Sequence, residues 1–426
     1  MRKLSVLAVA STLVLAGCGR DSGDGGDDAA NAPGVTSEPC PEAVDEEKGC
    51  IYLGVITDLT ADFSAIGVPL QEGSAAFWKQ VNEDGGIGDY EIDVTTYVRD
   101  NEYNPERHAQ VYSEIKGDIL AMSGSLGTAA TEAMLRDSDA EELVVIPATL
   151  GSNWLFEDRV LELGASYCTE GMNSVDYAVD ELGAESVAAV HFPGDYGDDN
   201  MVGARIAAEE RGIDFTDVPT GPGADQQGAA VAAILRSGAD AVVVGTGPRE
   251  LAAIVGGAVS QGFQGKFLGA IPTWNAALMQ SPAGPALQAS YLWSNSFPSF
   301  DADSPGREAM RAAAEESGAE PNDYFALGWS GAYLMKAVLE SAIDNDELSR
   351  GGLLEAATSL SEVDSEGSLP EGSGNYSGDA NEAAIRSTSF LAPDENASTG
   401  ASVDTQDYTG PTAEGYDFQE ACYLQK

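Results

Sequence analysis

Histidine is almost missing from this chain: 426 residues contain two. Metal sites that depend on several imidazole ligands are excluded. Basic residues are scarce as well. Against 70 Asp and Glu stand 21 Lys and Arg, for a formal net charge of −49. Without a basic excess to neutralise phosphates, nucleic acid is excluded as a partner. There is no Cys-x-x-Cys, no His-x-x-x-His and no phosphate-binding P-loop. The hydrophobic share of 43% is still enough for sizeable cores. The length suits two or three globular units. Such acidity favours solubility and opposes self-association.

The N-terminus reads as an address. Met1-Arg2-Lys3 is a short basic start, and Leu4 to Ala16 follows as thirteen apolar or small residues. That run is too short to span a bilayer and fits a signal peptide over residues 1–17. It ends in Leu15-Ala16-Gly17-Cys18, which resembles a bacterial lipobox. Cys18 is therefore the expected lipidation site, and its acyl chains would anchor an extracytoplasmic protein to the bacterial cell membrane. Residues 18–48 open on a Gly/Asp-rich stretch that cannot pack and read as a flexible tether. Export favours disulfides. Setting Cys18 aside leaves Cys40, Cys50, Cys168 and Cys422, which allow three pairings. Cys40 and Cys50 bracket a short polar loop, which favours Cys40–Cys50 with Cys168–Cys422 over the other two.

After the tether, strands alternate with helices. Ile51 to Ile56 is a buried-strand run, and Leu70, Phe77 and Val81 recur at helical spacing. Ile92 to Val98 alternates as a strand, and Pro105 opens a helix to about Lys116. Strands at Ile119–Met122 and Leu143–Pro147 flank a helix at Thr128–Arg136. A second series begins near Thr169, with strands at Val187–Val190, Ile213–Val218, Ala241–Val244 and Phe267–Leu268. Repeated βα units imply parallel sheets covered on both faces. Beyond residue 290 the alternation stops: a strand at Tyr291–Phe297, helices at Ser304–Ser317 and Asn322–Ile343, a Gly/Ser/acid loop at Ser359–Ala380, then a strand at Ile385–Leu391.

Ligands of open parallel sheets collect where strand C-termini meet helix N-termini. Ser123-Gly124-Ser125-Leu126-Gly127-Thr128 is such a loop; its glycines admit a close approach, and hydroxyl and N–H groups can hold an acceptor. Ala148-Thr149-Leu150 belongs to the next. Tyr196 follows Phe192-Pro193-Gly194-Asp195. The run Ser123-Gly124-Ser125-Leu126-Gly127 misses a Gly-x-Ser-x-Gly elbow by one residue. His191 is the only plausible base late in the chain, and nothing else supports a hydrolase.

Taken together, Val81-Asn82-Glu83-Asp84-Gly85-Gly86-Ile87, Asp100, Asn104-Pro105, the Gly-Ser-Leu-Gly-Thr loop and Asp195-Tyr196-Gly197 carry a resemblance. So do Gly238-Ala239-Asp240 and Gly262 before Phe267-Leu268-Gly269. Over residues 51–395 the chain resembles the type I extracytoplasmic solute-binding proteins, in particular the branched-chain amino acid (Leu/Ile/Val) binding family of ABC importers. The resemblance implies an α/β fold of two doubly wound parallel-sheet lobes joined by three crossovers. Lobe I would take residues 49–165 and 292–381, lobe II residues 166–291 and 382–426. It implies no catalysis, no cofactor, a membrane permease as partner, and a fold that often works as a monomer.

It also implies a site. Leu126, Gly127 and Thr128 would receive a ligand carboxylate, Ala148, Thr149 and Leu150 would add contacts, and Tyr196 would reach across from the second lobe. One departure matters. Where the amino-acid binders carry a Glu that pairs the ligand ammonium, this chain reads Ala270-Ile271-Pro272-Thr273-Trp274. An ammonium buried without a counter-charge costs several kcal/mol. The expected ligand therefore has an acceptor group at one end and an apolar or aromatic body against Trp274, unless Asp195 or Glu170 supplies the missing acid. The function expected is a lipid-anchored receptor of an ABC importer; the alternative is an exported sensor that reports ligand to a separate membrane protein.

Overall fold

The computed structural model describes residues 32–138, 141–194, 196–377 and 379–425. Cys18 and the signal-peptide segment lie outside the described residues, but part of the stretch read as a flexible tether is packed: Val35–Thr36 pairs as a strand with Cys50–Ile51, and Cys40 is bonded to Cys50. Among those described, no helix is long and apolar enough to cross a membrane.

The first sheet contains β1 (Val35–Thr36), β2 (Gly49–Thr57), β3 (Tyr90–Asp100), β4 (Ala121–Ser125) and β5 (Val145–Pro147). β2 lies parallel to β3 and to β4, and β4 to β5, while β1 runs antiparallel along the start of β2. The β2 run Ile51-Tyr52-Leu53-Gly54-Val55-Ile56-Thr57 is almost wholly buried because helices cover both faces of the sheet. Between these strands stand α1 (Ser64–Glu83), α2 (Pro105–Ile115) and α3 (Thr128–Asp137). Pro105 opens α2, and the Asn104 side chain caps it by accepting from the Arg107 N–H.

The second sheet starts after α4 (Tyr167–Asp180). It alternates β6 (Ser186–His191), α5 (Tyr196–Arg211), β7 (Asp214–Pro219), α6 (Gly228–Ser237), β8 (Ala241–Gly245), α7 (Pro248–Ser260), β9 (Lys266–Gly269), α8 (Gly284–Ser290) and β10 (Tyr291–Asn295). The chain leaves this sheet after Asn295, slightly beyond the boundary at 291 read from the sequence. It returns to the first lobe as α9 (Pro305–Ser317), α10 (Asp323–Asp344) and α11 (Arg350–Ser359). It then crosses back through α12 (Ala380–Ala383) to β11 (Thr388–Pro393) and β12 (Ala401–Tyr408), and ends in α13 (Pro411–Gly415) and the turn Cys422–Leu424. The seven strands lie in the order β12-β11-β10-β9-β8-β6-β7. Two α/β lobes with three chain crossings are thus present, as the sequence implied.

α1 and α10 cross at close range over the first sheet. A Cβ at Gly73 would stand 2.0 Å from the Phe325 carbonyl oxygen, and one at Gly328 would stand 2.0 Å from that of Leu70. Both positions require glycine, and that approach fixes how far α10 sits above the strands. The disulfides are Cys40–Cys50 and Cys168–Cys422, the pairing favoured from spacing. The second ties the last turn of the chain to α4 across 254 residues.

Candidate functional site

The strand ends of the first sheet are shaped by side chains that hold backbone in place. Asp58 is fully buried, and its carboxylate accepts from the N–H groups of Thr60, Ala61 and Phe63. This turns the chain into α1 and points Phe63 at the other lobe, stacked on Tyr103 at 4.1 Å. Asn101 does the same for the next loop. Its Nδ2 donates to the Leu126 carbonyl at 2.9 Å and to His108 Nδ1 at 3.1 Å. Since Nδ1 accepts, Nε2 carries the proton and donates to Ser125 Oγ at 3.2 Å. Burial lowers the His108 pKa to about 4, so the ring is neutral. The imidazole near Ser125 is therefore His108, not His191, and it donates to the hydroxyl. Ser125 is fully buried and also meets Thr131 Oγ1 at 2.7 Å. This network orients the loop; it does not present a nucleophile.

Gly127 then adopts φ 101°, a left-handed value that favours glycine, and α3 starts at Thr128. Thr128 Oγ1 lies 2.5 Å from Thr149 Oγ1. Thr149 is approached at 3.4 Å by the hydroxyl of Tyr167, which opens α4. Two loops of the first lobe and one helix start of the second thus meet at a cluster of hydroxyls.

That cluster borders a narrow cleft between the lobes. Leu126, Gly127, Ala148, Thr149, Leu150 and Tyr196, all named from the sequence, line it. Phe63, Ile66, Leu70, Tyr103, Tyr324 and Leu327 come from α1, α10 and the β3–α2 loop; Tyr167, Ile271 and Pro272 close the other side. Thr128, expected to receive the ligand, is not among the lining residues; its hydroxyl is bonded to that of Thr149 behind the wall. Tyr196 spans the gap, with its ring 5.2 Å from Tyr167 and 6.4 Å from Phe63. Every described lining residue is uncharged.

Two further expectations need correction. Trp274 does not line the cavity. It is buried in the second lobe's core, stacked on Tyr291 at 5.7 Å and on Trp293 at 6.4 Å. The turn Ile271–Thr273 presents Ile271 and Pro272 to the cleft and sends the indole behind them. Nor does Glu170 replace the absent ammonium partner. It is wholly buried behind that turn, accepting from the Ile271 N–H at 3.4 Å and Ser294 Oγ at 3.2 Å. Burial raises its pKa well above the ordinary value, which favours the neutral acid. Asp195 lies outside the described residues.

The aromatic ring of the cleft was not read from the sequence, because Phe63, Tyr103, Tyr167 and Tyr324 sit on separate elements without a shared spacing. Tyr324 is also a tie between lobes. From the start of α10 its hydroxyl reaches the carbonyls of Ile271 at 2.7 Å and Trp274 at 2.9 Å. At the cleft mouth Arg249 and Asp62 pair at 3.1 Å, both largely exposed, a contact of little energetic weight.

The sequence profile of the periplasmic binding proteins matches residues 50–395. Among solved structures, a fatty acid ABC transporter substrate-binding protein from Thermomonospora curvata is 26% identical, with a TM-score of 0.82 over 90% of this chain and 96% of that one. A branched-chain amino acid ABC transporter protein from Thermus thermophilus, with bound valine, is 20% identical (TM-score 0.74; 86% and 98% covered). An ABC transporter substrate-binding protein from Aeropyrum pernix is 19% identical (TM-score 0.75; 88% and 98% covered). The last two likenesses speak for the fold alone. No curated protein matches the chain significantly.

Proposed function

Because the chain belongs to the periplasmic binding protein family, we propose that it captures a small monocarboxylate with an apolar body and delivers it to an ABC importer. Two-lobe closure is the mechanism: contacts to both lobes stabilise the closed form, which a permease reads. Cys18 acts as the lipid anchor that keeps the receptor beside that permease. No step of this cycle calls for catalysis or a cofactor.

One observation carries the ligand class: among the described residues, the cavity wall has hydroxyls and hydrocarbon but no charge. A zwitterionic amino acid would bury its ammonium against Ile271 and Pro272 without a counter-ion, at several kcal/mol. A carboxylate alone finds Thr149, with Thr128 and the free N–H groups and positive dipole end of α3 behind it. The remainder meets Phe63, Ile66, Leu70 and Leu327. The fatty acid transport named for the Thermomonospora curvata protein is in line with this choice.

Calorimetric titration of aliphatic and aromatic monocarboxylates, against leucine, isoleucine and valine, tests it. The acids should bind and the amino acids should not. Thr149→Val should weaken the acids by ~1–3 kcal/mol, the range for a hydrogen bond to a charged group. Micromolar leucine binding overturns the reading.

A further inference from the structure

A cavity of ≈ 480 Å³ lies away from the cleft and shares no lining residue with it. It sits where the chain passes twice between the lobes. Its floor is the end of the second sheet, where Asn295 of β10 pairs opposite Ser389 of β11. One wall is drawn from residues 297–304, which lead the chain out of that sheet, and another from residues 367–371, which precede its return. The volume falls in the range of small-molecule sites, about 300–1,000 Å³.

The floor carries a donor without an acceptor. Asn295 is 1% exposed. Its Oδ1 accepts from the Phe297 N–H at 3.1 Å. That N–H can only donate, so the amide is oriented and Nδ2 is the spare group. Nδ2 has no partner among the described residues. Strand pairing puts this side chain on the same sheet face as Ser389 and Leu391, which also line the cavity. A buried donor left unmade is costly, and a ligand oxygen would relieve it.

The mouth has charge of one sign. Asp301, Asp303, Glu371 and Asp407 stand exposed around it, and no Lys, Arg or His is among the described lining residues. In a chain with 70 acidic residues such a rim is ordinary by itself; the unmet donor beneath it makes it part of a site. Among the described residues no three of these carboxylates converge closely enough to hold one metal ion. Their spacing suits an organic cation that spreads over the mouth.

We propose that this cavity binds a small hydroxylated organic cation, of the amino-alcohol or amino-sugar class. The ammonium stays at the mouth among the carboxylates. A hydroxyl oxygen reaches the floor and accepts from Asn295 Nδ2, and Ser389 and its neighbouring serines serve the other hydroxyls. The site is separate from the cleft, and the proposal does not depend on what the cleft takes.

Glucosamine is the probe, titrated calorimetrically into the full-length protein at about 0.15 M salt, where weak surface attraction is screened. Glucose keeps the hydroxyls without the charge, and putrescine keeps charge without a hydroxyl. Glucosamine should bind one per chain, roughly tenfold or more tighter than either. The paired change Asp303→Asn with Glu371→Gln removes two exposed charges outside the core. It should weaken glucosamine roughly fivefold, the scale of two exposed charge contacts. Asn295→Leu removes the donor at similar volume and should bring glucosamine down to the level of putrescine; the surface pair carries the test if this buried variant does not fold. No saturable binding of glucosamine overturns the site. Glucose binding as tightly overturns the cation class, and putrescine binding as tightly overturns the role of Asn295. Unchanged binding in the surface pair overturns the location.

Discussion

Replacing Tyr324 by Phe removes one oxygen from the interface between the lobes. In the structure that hydroxyl reaches two carbonyls of the second lobe, from residues Ile271 and Trp274. It has one proton to give, and burial raises its pKa well above the ordinary value, so it remains a donor at any working pH. The two carbonyls are not equally exposed to its loss. Ile271 O also accepts from the Trp293 indole at 3.0 Å, so it stays satisfied. Trp274 O is the group left short. A net hydrogen bond is worth about 0.5–1.5 kcal/mol, and a stranded buried acceptor adds to that. The closed form should therefore lose about 1–2 kcal/mol, which is roughly a 5- to 30-fold loss of affinity. An open form that does not make the bond loses nothing. Calorimetric titration of the tightest acid and thermal unfolding of the ligand-free protein separate the two. Tyr324→Phe should weaken binding by that factor and shift the ligand-free midpoint by no more than about 1 °C. If the midpoint falls by several degrees while affinity holds, Tyr324 is a hinge support present in both forms, and the closure argument is wrong.

Two further outcomes concern stability. Asp199 is wholly buried and accepts from Ser152 N–H and Oγ and from the Cys168 N–H; burial raises its pKa from 3.8 to about 6. A raised carboxylate pKa contributes stability that is full below pH 4 and is lost as pH rises through 6, about 3 kcal/mol in all. Urea unfolding across pH 4–7 should show this slope relative to Asp199→Asn; parallel curves for the two proteins refute it. Opening the Cys168–Cys422 bridge with paired Cys→Ser changes should cost about 5 kcal/mol from its loop length, against about 3 for Cys40–Cys50. Equal losses would show that the length of chain enclosed is not what sets the cost.

Most of the fold could be read because its signals are local. The buried β2 run, the Asn104-Pro105 start of α2 and the Ser304 cap of α9 each announce themselves within a few residues. The elements that escaped have weak local signals. α11 begins Arg350-Gly351-Gly352, glycines that argue against a helix; its start is fixed by the Ser349 cap and by burial of Leu353 and Ala357. β12 is an edge strand of mostly exposed polar residues, held by pairing with β11 rather than by an apolar face. The site divides the same way. Gly127 and Thr149 could be placed because strand-end loops always face the cleft in this architecture. Tyr324 could not, since its position depends on how α10 crosses α1. Trp274 misled because an aromatic residue near a site is visible in a sequence, while the direction its ring takes is not.

The charge of the whole molecule supplies a test of what enters the cleft. A net charge of −49 repels any anion that approaches, and no described lining residue offers a positive charge to offset that field. A carboxylate ligand therefore works against the protein's own electrostatics and relies on hydroxyls, N–H groups and apolar contact. Salt removes the opposition. The screening length falls from about 10 Å at 0.1 M to about 3 Å at 1 M, so binding of the acid should strengthen as sodium chloride is raised, roughly threefold to tenfold over that range. The primary amide with the same hydrocarbon tail is the control. It shares every apolar contact and any salting-out of the tail, but it carries no charge for the field to repel. The ratio of acid to amide affinity should rise with salt. A fall would mean that a cation outside the cavity wall pairs with the ligand, and the case for an uncharged site would fail with it.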